Sequence, residues 1–169
     1  EMVVGLDLVE LQFLIAAGKP LPIRQEDVRI NGWAIEARIC AEDPTRNFLP
    51  STGIVTRYAV PRGRDIRLDS GIGAGSIVSV FYDSLLAKLV TTGKTREAAR
   101  RSMVQALNRY HIEGVFTNKH FVNALLNHPA FVKGDLCTRF VEEHFEGGES
   151  GIPPSDENLH FMVMAATLV

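Results

Sequence analysis

The chain has 169 residues, of which 46% are hydrophobic and 22% are charged, a composition that excludes a disordered chain. Its 18 Lys and Arg against 20 Asp and Glu give a net charge of -2, which argues against a dedicated nucleic-acid binder. No apolar run approaches the ~20 residues that span a bilayer, so we expect no membrane segment. Two cysteines, Cys40 and Cys137, cannot build a disulfide framework, which favours a reducing compartment such as the bacterial cytoplasm or the mitochondrial matrix.

The first third of the chain predicts one helix and one half-buried strand. A helix is expected over residues 7–17, because apolar side chains recur there at helical spacing and Asp7 can cap its first turn. In residues 33–41 every odd-numbered position is apolar, and the other face carries Glu36 and Arg38. This alternation predicts a strand that buries the odd-numbered face and leaves an acid and a base on the other.

Short strands are expected in the middle of the chain and helices after it. The strand candidates, separated by turns that contain Gly or Pro, are residues 54–60, 66–69, 77–82 and 85–92. Three helices follow, of which the first is capped by Thr95 and runs to about Tyr110, the second is capped by Thr117, and the third lies around residues 139–145. The sequence therefore predicts an α+β fold in which an antiparallel β-sheet is packed by C-terminal helices.

Composition changes near the end of the chain. Residues 147–154 are rich in Gly and Pro, which is typical of a linker, and residues 155–169 begin a new amphipathic helix. We expect this helix to start a further domain. Because the chain opens without Met and stops inside that helix, we also expect it to be a fragment.

Motifs that carry chemistry are sparse in the residues themselves. The glycine-rich residues 71–75 have no helix after them, so a turn is expected rather than a phosphate loop, and the five scattered histidines do not suggest a metal site. Glu36 and Arg38 form either a surface ion pair or the floor of a cleft. Asp83 follows an apolar run, where an aspartate commonly caps a local turn. Patterning alone supports no more than an α+β domain.

Five blocks of the sequence resemble the biotin carboxylase components of biotin-dependent carboxylases, in that family's order and spacing over residues 1–145. They include the strand that ends in Ala-Glu-Asp-Pro, the loop Phe-Leu-Pro-Ser-Thr-Gly, the segment Phe-Tyr-Asp-Ser, and Gly-Val-Phe-Thr-Asn; the blocks are residues 1–9, 32–44, 48–53, 81–89 and 114–118. Residues 30–34 and 131–135 look most like the α subunit of propionyl-CoA carboxylases. Acetyl-CoA and methylcrotonyl-CoA carboxylases are close alternatives.

The resemblance implies a domain organisation and a reaction. Residues 1–31 would be the end of the ATP-grasp region with its connector helix, residues 32–146 the biotin carboxylase C-terminal domain, and residues 155–169 the start of the domain that joins the carboxyltransferase (β) subunit. The full-length enzyme would use ATP with Mg²⁺ or Mn²⁺ to activate bicarbonate. It would then carboxylate N1′ of biotin held by a biotin carboxyl carrier domain.

The resemblance also implies roles for three residues. Arg38 falls on the position that stabilises negative charge on the ureido oxygen of biotin, and Asp83 falls on an acid that orients this arginine. Thr138 falls near the position that closes the adenine pocket. The other catalytic groups of the family would precede position 1, so we expect the isolated chain to be inactive and to bind no cofactor by itself. The alternative is a non-catalytic scaffold or interaction module that keeps the fold and has lost the chemistry.

Overall fold

A computed structural model of the chain describes residues 1–145, and the predicted linker and final helix lie outside this range. The α-helices of this part are α1 (Leu8–Ala16), α2 (Arg96–Arg109), α3 (Lys119–Asn127), α4 (Pro129–Lys133) and α5 (Phe140–His144). Its strands are β1 (Trp33–Cys40), β2 (Glu42–Asp43), β3 (Leu49–Pro50), β4 (Gly53–Ile54), β5 (Arg57–Ala59), β6 (Ile66–Ser70), β7 (Ile77–Val78), β8 (Leu85–Gly93) and β9 (His111–Glu113). Short 3₁₀ turns lie at Gln25–Asp27 and Pro44–Arg46.

The central sheet is antiparallel and has the strand order β1-β8-β6. β1 and β8 pair from Trp33 opposite Gly93 to Cys40 opposite Leu85, and the register shifts by one residue between Ile39 and Cys40. Three small antiparallel pairs, β2–β3, β4–β7 and β5–β9, surround this sheet. Together with the helices that follow β8 along the chain, this arrangement confirms the predicted α+β fold.

The main core lies between the central sheet and α2. Thr95 caps α2 through its hydroxyl, which accepts a hydrogen bond from the Ala98 amide at 3.1 Å. Apolar residues then recur every three or four positions, so one face of the helix is buried against the sheet. The buried members of this core are Ala37, Ile39, Ala87, Leu89, Met103, Ala106, Leu107, Tyr110 and Leu126. The predicted helix and its buried face are both confirmed.

The two faces of β1 differ as the alternation predicts, with one exception. Ala37 and Ile39 are buried, while Glu36 and Arg38 are exposed on the other face. Trp33 is 53% exposed although it shares the odd-numbered face. It begins the strand opposite Gly93, which offers no side chain to pack against.

Two predicted strands are shorter than their apolar patterns indicate. Residues 54–60 divide into β4 and β5, because the chain changes partners between them: the Val55 amide donates to the Ser76 carbonyl and the Thr56 amide donates to the Glu113 carbonyl. Residues 77–82 form a strand only to Val78, since the partner strand β4 has just two residues.

The C-terminal helices form a separate aromatic cluster and correct one predicted cap. Phe121, Phe140 and Phe145 are buried together, and the ring of Phe48 meets Phe121 edge-on with centroids 4.9 Å apart. α3 begins at Lys119 with Asn118 as its N-cap residue, so Thr117 lies one residue before the cap. Within residues 1–145 no helix is long and apolar enough to span a bilayer.

Candidate functional site

The face of the central sheet that turns away from α2 carries rows of charged side chains. Antiparallel pairing places Arg38 of β1 opposite Lys88 of β8, and Lys88 opposite Asp69 of β6. The next row joins Glu36 at one edge to Arg67 at the other, with an apolar residue of β8 between them. Two cations are thus adjacent at the Arg38 end of the sheet. Asp69 lies beside Lys88 in the same row, and Glu36 lies two residues before Arg38 on the same strand.

The N-terminal segment forms one wall of a groove over this face. The groove has a volume of about 540 Å³, and Glu36 and Lys88 lie on its floor. The Arg67 guanidinium donates to the carboxylates of Glu1 and Asp69, which holds the N-terminal segment against β6. The hydrogen bond from Arg67, together with the one from the Leu8 amide, holds the pKa of Glu1 below its ordinary value.

Arg38 presents a nearly free guanidinium beside this groove. Its side chain is 68% exposed, and its Nε lies 3.5 Å from the Glu36 carboxylate, which is 46% exposed. Among residues 1–145 the side chain has no other hydrogen-bond partner, so both terminal nitrogens can receive an anion. A pair this exposed adds at most about 1 kcal/mol to stability. The arrangement therefore suits anion binding better than structural support.

Asp83 makes a local contact within its own turn. Its Oδ1 accepts a hydrogen bond from the Leu85 amide at 2.7 Å, the local turn that the sequence offered as one interpretation. In the part of the chain that the structure describes, no hydrogen bond or ion pair joins Asp83 to Arg38. Burial raises the pKa of the Cys40 thiol, and the charges of Glu42 and Asp83 raise it further. A hydrogen bond with Ser84 and the charge of Arg38 lower this pKa, so Asp83 and Arg38 act on the same thiol in opposite directions. The orienting role of Asp83 stays a prediction.

Thr138 and the glycine-rich segment lie apart from the charged face. Thr138 is exposed in the turn before α5, and within residues 1–145 no hydrogen bond links it to Arg38 or Asp83. Residues 71–75 form a connection between β6 and β7, in which the Gly73 amide donates to the Ser76 hydroxyl. Over the same described range, no group of three His, Cys, Asp or Glu side chains is placed to hold a metal ion.

The sequence did not indicate a role for Asn118, which contacts the strand that carries Arg38. Its side chain forms hydrogen bonds to the main chain at Arg38 and Cys40, across 80 and 78 positions of sequence. A contact of this separation leaves no local pattern. The only signal in the sequence was the Gly-Val-Phe-Thr-Asn block, which resembles the family but does not indicate that Asn118 contacts β1.

Residues 36–143 match the biotin carboxylase C-terminal domain family, and the chain belongs to this family. It is 39% identical over 186 residues to the propionyl-CoA carboxylase alpha chain of Ruegeria pomeroyi, covering 98% of this chain and 27% of that protein. It is 44% identical over 144 residues to biotin carboxylase 1 of Bacillus subtilis, covering 85% of this chain and 32% of that protein.

A solved structure agrees with the sequence relatives. The biotin carboxylase domain of Hydrogenobacter thermophilus 2-oxoglutarate carboxylase, a dimer in complex with MgADP, ADP and bicarbonate, superposes with a TM-score of 0.84 at 42% identity. The match covers 85% of this chain and 32% of that one. The resemblance to biotin carboxylases is thereby confirmed. The chain spans about 27–32% of the length of these three proteins.

Proposed function

We propose that the chain is the C-terminal part of a biotin carboxylase that carboxylates N1′ of carrier-bound biotin with ATP and bicarbonate. Family membership supports the reaction class. The related 2-oxoglutarate carboxylase domain is in complex with MgADP and bicarbonate, which supports the same substrates here. In this proposal the chain supplies one wall of the active site, and the remainder of the full-length protein supplies the rest.

Arg38 is the residue that we assign to the carboxylation step. Negative charge develops on the ureido oxygen of biotin as N1′ becomes nucleophilic, and a guanidinium can stabilise that charge without gaining or losing a proton. The observation that carries the assignment is the exposed guanidinium of Arg38, which keeps both terminal nitrogens unused among residues 1–145 and extends from a paired strand. Lys88, directly opposite on β8, adds positive charge to the same place.

Asp83 is proposed to orient Arg38 once the full-length protein covers this face. One of its carboxylate oxygens accepts from the Leu85 amide, and the second is available to a guanidinium nitrogen. Both residues already lie within electrostatic range of Cys40.

The metal and nucleotide belong to the full-length protein in this proposal. Mg²⁺ or Mn²⁺ would neutralise the phosphates of ATP, and residues 1–145 offer no cluster of three metal-binding side chains. We therefore assign no metal-dependent step to this part of the chain. The predicted contact of Thr138 with adenine remains a proposal that rests on resemblance alone.

Propionyl-CoA is the acceptor that we propose for the carboxyl group. The propionyl-CoA carboxylase relative matches 98% of this chain, whereas the two other relatives match 85%. The longer match extends past the catalytic domain toward the predicted start of the domain that would bind the carboxyltransferase (β) subunit. The bacterial cytoplasm or the mitochondrial matrix is the proposed location, which the bacterial and mitochondrial origins of the propionyl-CoA carboxylase relatives support.

The test is an assay of the full-length protein that contains this chain. ADP release should require bicarbonate and should rise when free biotin is added. With its carrier domain and carboxyltransferase present, propionyl-CoA should be carboxylated faster than acetyl-CoA or 3-methylcrotonyl-CoA. A protein that binds its partners but releases no ADP under these conditions would instead support the scaffold interpretation.

A further inference from the structure

Three hydrogen bonds join the beginning of α3 to the strand segment that carries Arg38. The Asn118 Nδ2 donates to the Arg38 carbonyl at 3.1 Å, and the Cys40 amide donates to the Asn118 Oδ1 at 3.0 Å. The Asn118 amide also donates to the Cys40 carbonyl at 3.2 Å. The primary amide of one side chain thus replaces the donor and acceptor that a neighbouring strand would provide.

This contact lies at the unpaired edge of β1, beside an irregularity in its pairing with β8. β1 is at the edge of the central sheet, so the peptide groups of Arg38 and Cys40 that point away from β8 have no strand beside them. On the other side the pairing with β8 shifts register between Ile39 and Cys40. Irregularities of this kind bend a strand and redirect its side chains. Asn118 therefore fixes the outer edge directly beside the place where the inner edge is irregular.

The geometry of α3 supports a dedicated role for this side chain. Asn118 is the N-cap residue of α3, a position where asparagine normally accepts a hydrogen bond from its own helix. Here no side-chain capping bond is present, because the amide is used on β1 instead. α3 therefore lacks the stabilisation of a side-chain cap, and the same amide instead holds the edge of the strand that carries Arg38.

We propose that Asn118 is a positioning residue, which holds the main chain of Arg38 so that its guanidinium meets the ureido oxygen of biotin. This inference rests on the proposed role of Arg38. A misplacement of about 1 Å can lower a rate by about a hundredfold, so the loss of a main-chain anchor is expected to affect the carboxylation step. Formation of the activated bicarbonate does not use Arg38 in this proposal and should be affected much less.

The experiment compares variants of the full-length enzyme in both partial reactions. Asn118→Ala removes both side-chain bonds, and Asn118→Asp keeps an acceptor for the Cys40 amide but cannot donate to the Arg38 carbonyl. We expect either variant to lower kcat for biotin carboxylation about tenfold to a hundredfold, with KM for ATP unchanged and bicarbonate-dependent ATP cleavage within about threefold of wild type. The matched control is Asn123→Ala, which removes a side chain of the same helix that bonds to Asn108 and Asn127. It should leave both reactions near wild type.

A double variant separates this inference from the proposed function. If Asn118 acts through Arg38, the double variant Asn118→Ala/Arg38→Ala should carboxylate biotin at a rate within about twofold of that of Arg38→Ala alone. Suppose that Arg38→Ala loses biotin carboxylation selectively, while Asn118→Ala and Asn118→Asp lose carboxylation and ATP cleavage equally. This result would overturn the positioning role of Asn118 and leave the proposed function standing. Absence of a selective loss in Arg38→Ala would overturn both. If Asn118→Ala fails to fold, as its melting temperature would reveal, Asn118→Asp gives the same comparison.

Discussion

At the scale of single residues, the Arg38–Glu36 pair is better suited to exchange partners than to stabilise the fold. The two groups are 3.5 Å apart and largely exposed, so water screens their attraction. An anion can therefore replace Glu36 at little cost in free energy. Once the groove is covered and water is excluded, the same guanidinium would stabilise negative charge far more strongly than it does in water.

Asp83 provides a residue-scale prediction, because its two possible roles respond differently to one substitution. In the full-length enzyme, Asp83→Asn keeps an oxygen that can accept from the Leu85 amide but removes the charge. If Asp83 orients Arg38, biotin carboxylation should fall about tenfold, the value of one charge-assisted hydrogen bond, with an unchanged melting temperature. Asp83→Ala, the control, should lose the turn bond as well and melt at a lower temperature. If Asp83→Asn carboxylates biotin at the wild-type rate, Asp83 does not orient Arg38 and its role is limited to the hydrogen bond within its turn.

At the scale of secondary-structure elements, the contact between β8 and α2 depends on a glycine. Gly93 is the last residue of β8, and a Cβ atom there would lie 2.5 Å from the Ala99 amide nitrogen and 2.8 Å from the Ala98 carbonyl carbon. Both are backbone atoms of α2, so a side chain could not be accommodated by a rotamer change. The absence of a side chain at this position lets the helix pack closely on the sheet.

Gly93→Ala should consequently push α2 away from the core. We expect the free energy of unfolding to fall by about 1–3 kcal/mol, the usual cost of overpacking, as measured by urea denaturation of the 169-residue chain. Gly73→Ala is the matched control, because a Cβ atom there would meet nothing within 4 Å. The control should change stability by less than about 0.5 kcal/mol. If both variants lose the same free energy of unfolding, the close approach of α2 to Gly93 does not account for the loss in Gly93→Ala.

The first turn of α2 predicts a dependence of stability on pH. Hydrogen bonds from Arg100 and Arg101 lower the pKa of Glu97 from 4.5 to about 2. A carboxyl group whose pKa is lower in the folded state stabilises the fold above its unfolded pKa and loses that contribution as the pH falls toward the folded value. The melting-temperature difference between wild type and Glu97→Gln should thus be constant near neutral pH and shrink between pH 4.5 and about 2.

The control for this prediction is Glu10→Gln. Glu10 also lies in the first turn of a helix, and within the described residues it forms no ion pair. Its substitution should shift the melting temperature less at neutral pH. A wild-type advantage over Glu97→Gln that persists undiminished at the lowest pH would contradict the ion-pair explanation.

At the scale of the whole molecule, local signals predicted the elements and long-range contacts decided the site. Thr95 and the apolar spacing after it predicted α2, and the alternation in residues 33–41 predicted the polar face of β1. The apolar run that ends in Phe81 and Tyr82 predicted a strand that is too long, because a strand continues only as far as its partner. The side chains of Phe81 and Tyr82 are each 86% exposed. Asn118 could not be predicted as a partner of Arg38, since 80 positions separate them.

The isolated chain gives a whole-molecule prediction. The resemblance places the nucleotide- and bicarbonate-binding groups of the family before position 1. The chain spans 27% of the Ruegeria pomeroyi relative and 32% of the Bacillus subtilis one. With ATP, Mg²⁺, bicarbonate and free biotin, the 169-residue chain should therefore release no phosphate above background. The full-length protein under the same conditions is the positive control. Turnover by the isolated chain would show that the catalytic groups lie elsewhere than this account places them.

The central claim is that Arg38 stabilises the negative charge on biotin, and one variant of the full-length enzyme tests it directly. Arg38→Ala should lower biotin carboxylation by about 10²–10³, the usual effect of removing one such donor, while bicarbonate-dependent ATP cleavage falls much less. Arg38→Lys should not restore full activity, because an ammonium group lacks the planar pair of donors. The melting temperature should change little, since the side chain is exposed and the apolar face of β1 stays intact. Equal loss of both partial reactions, or no loss of either, would contradict the account.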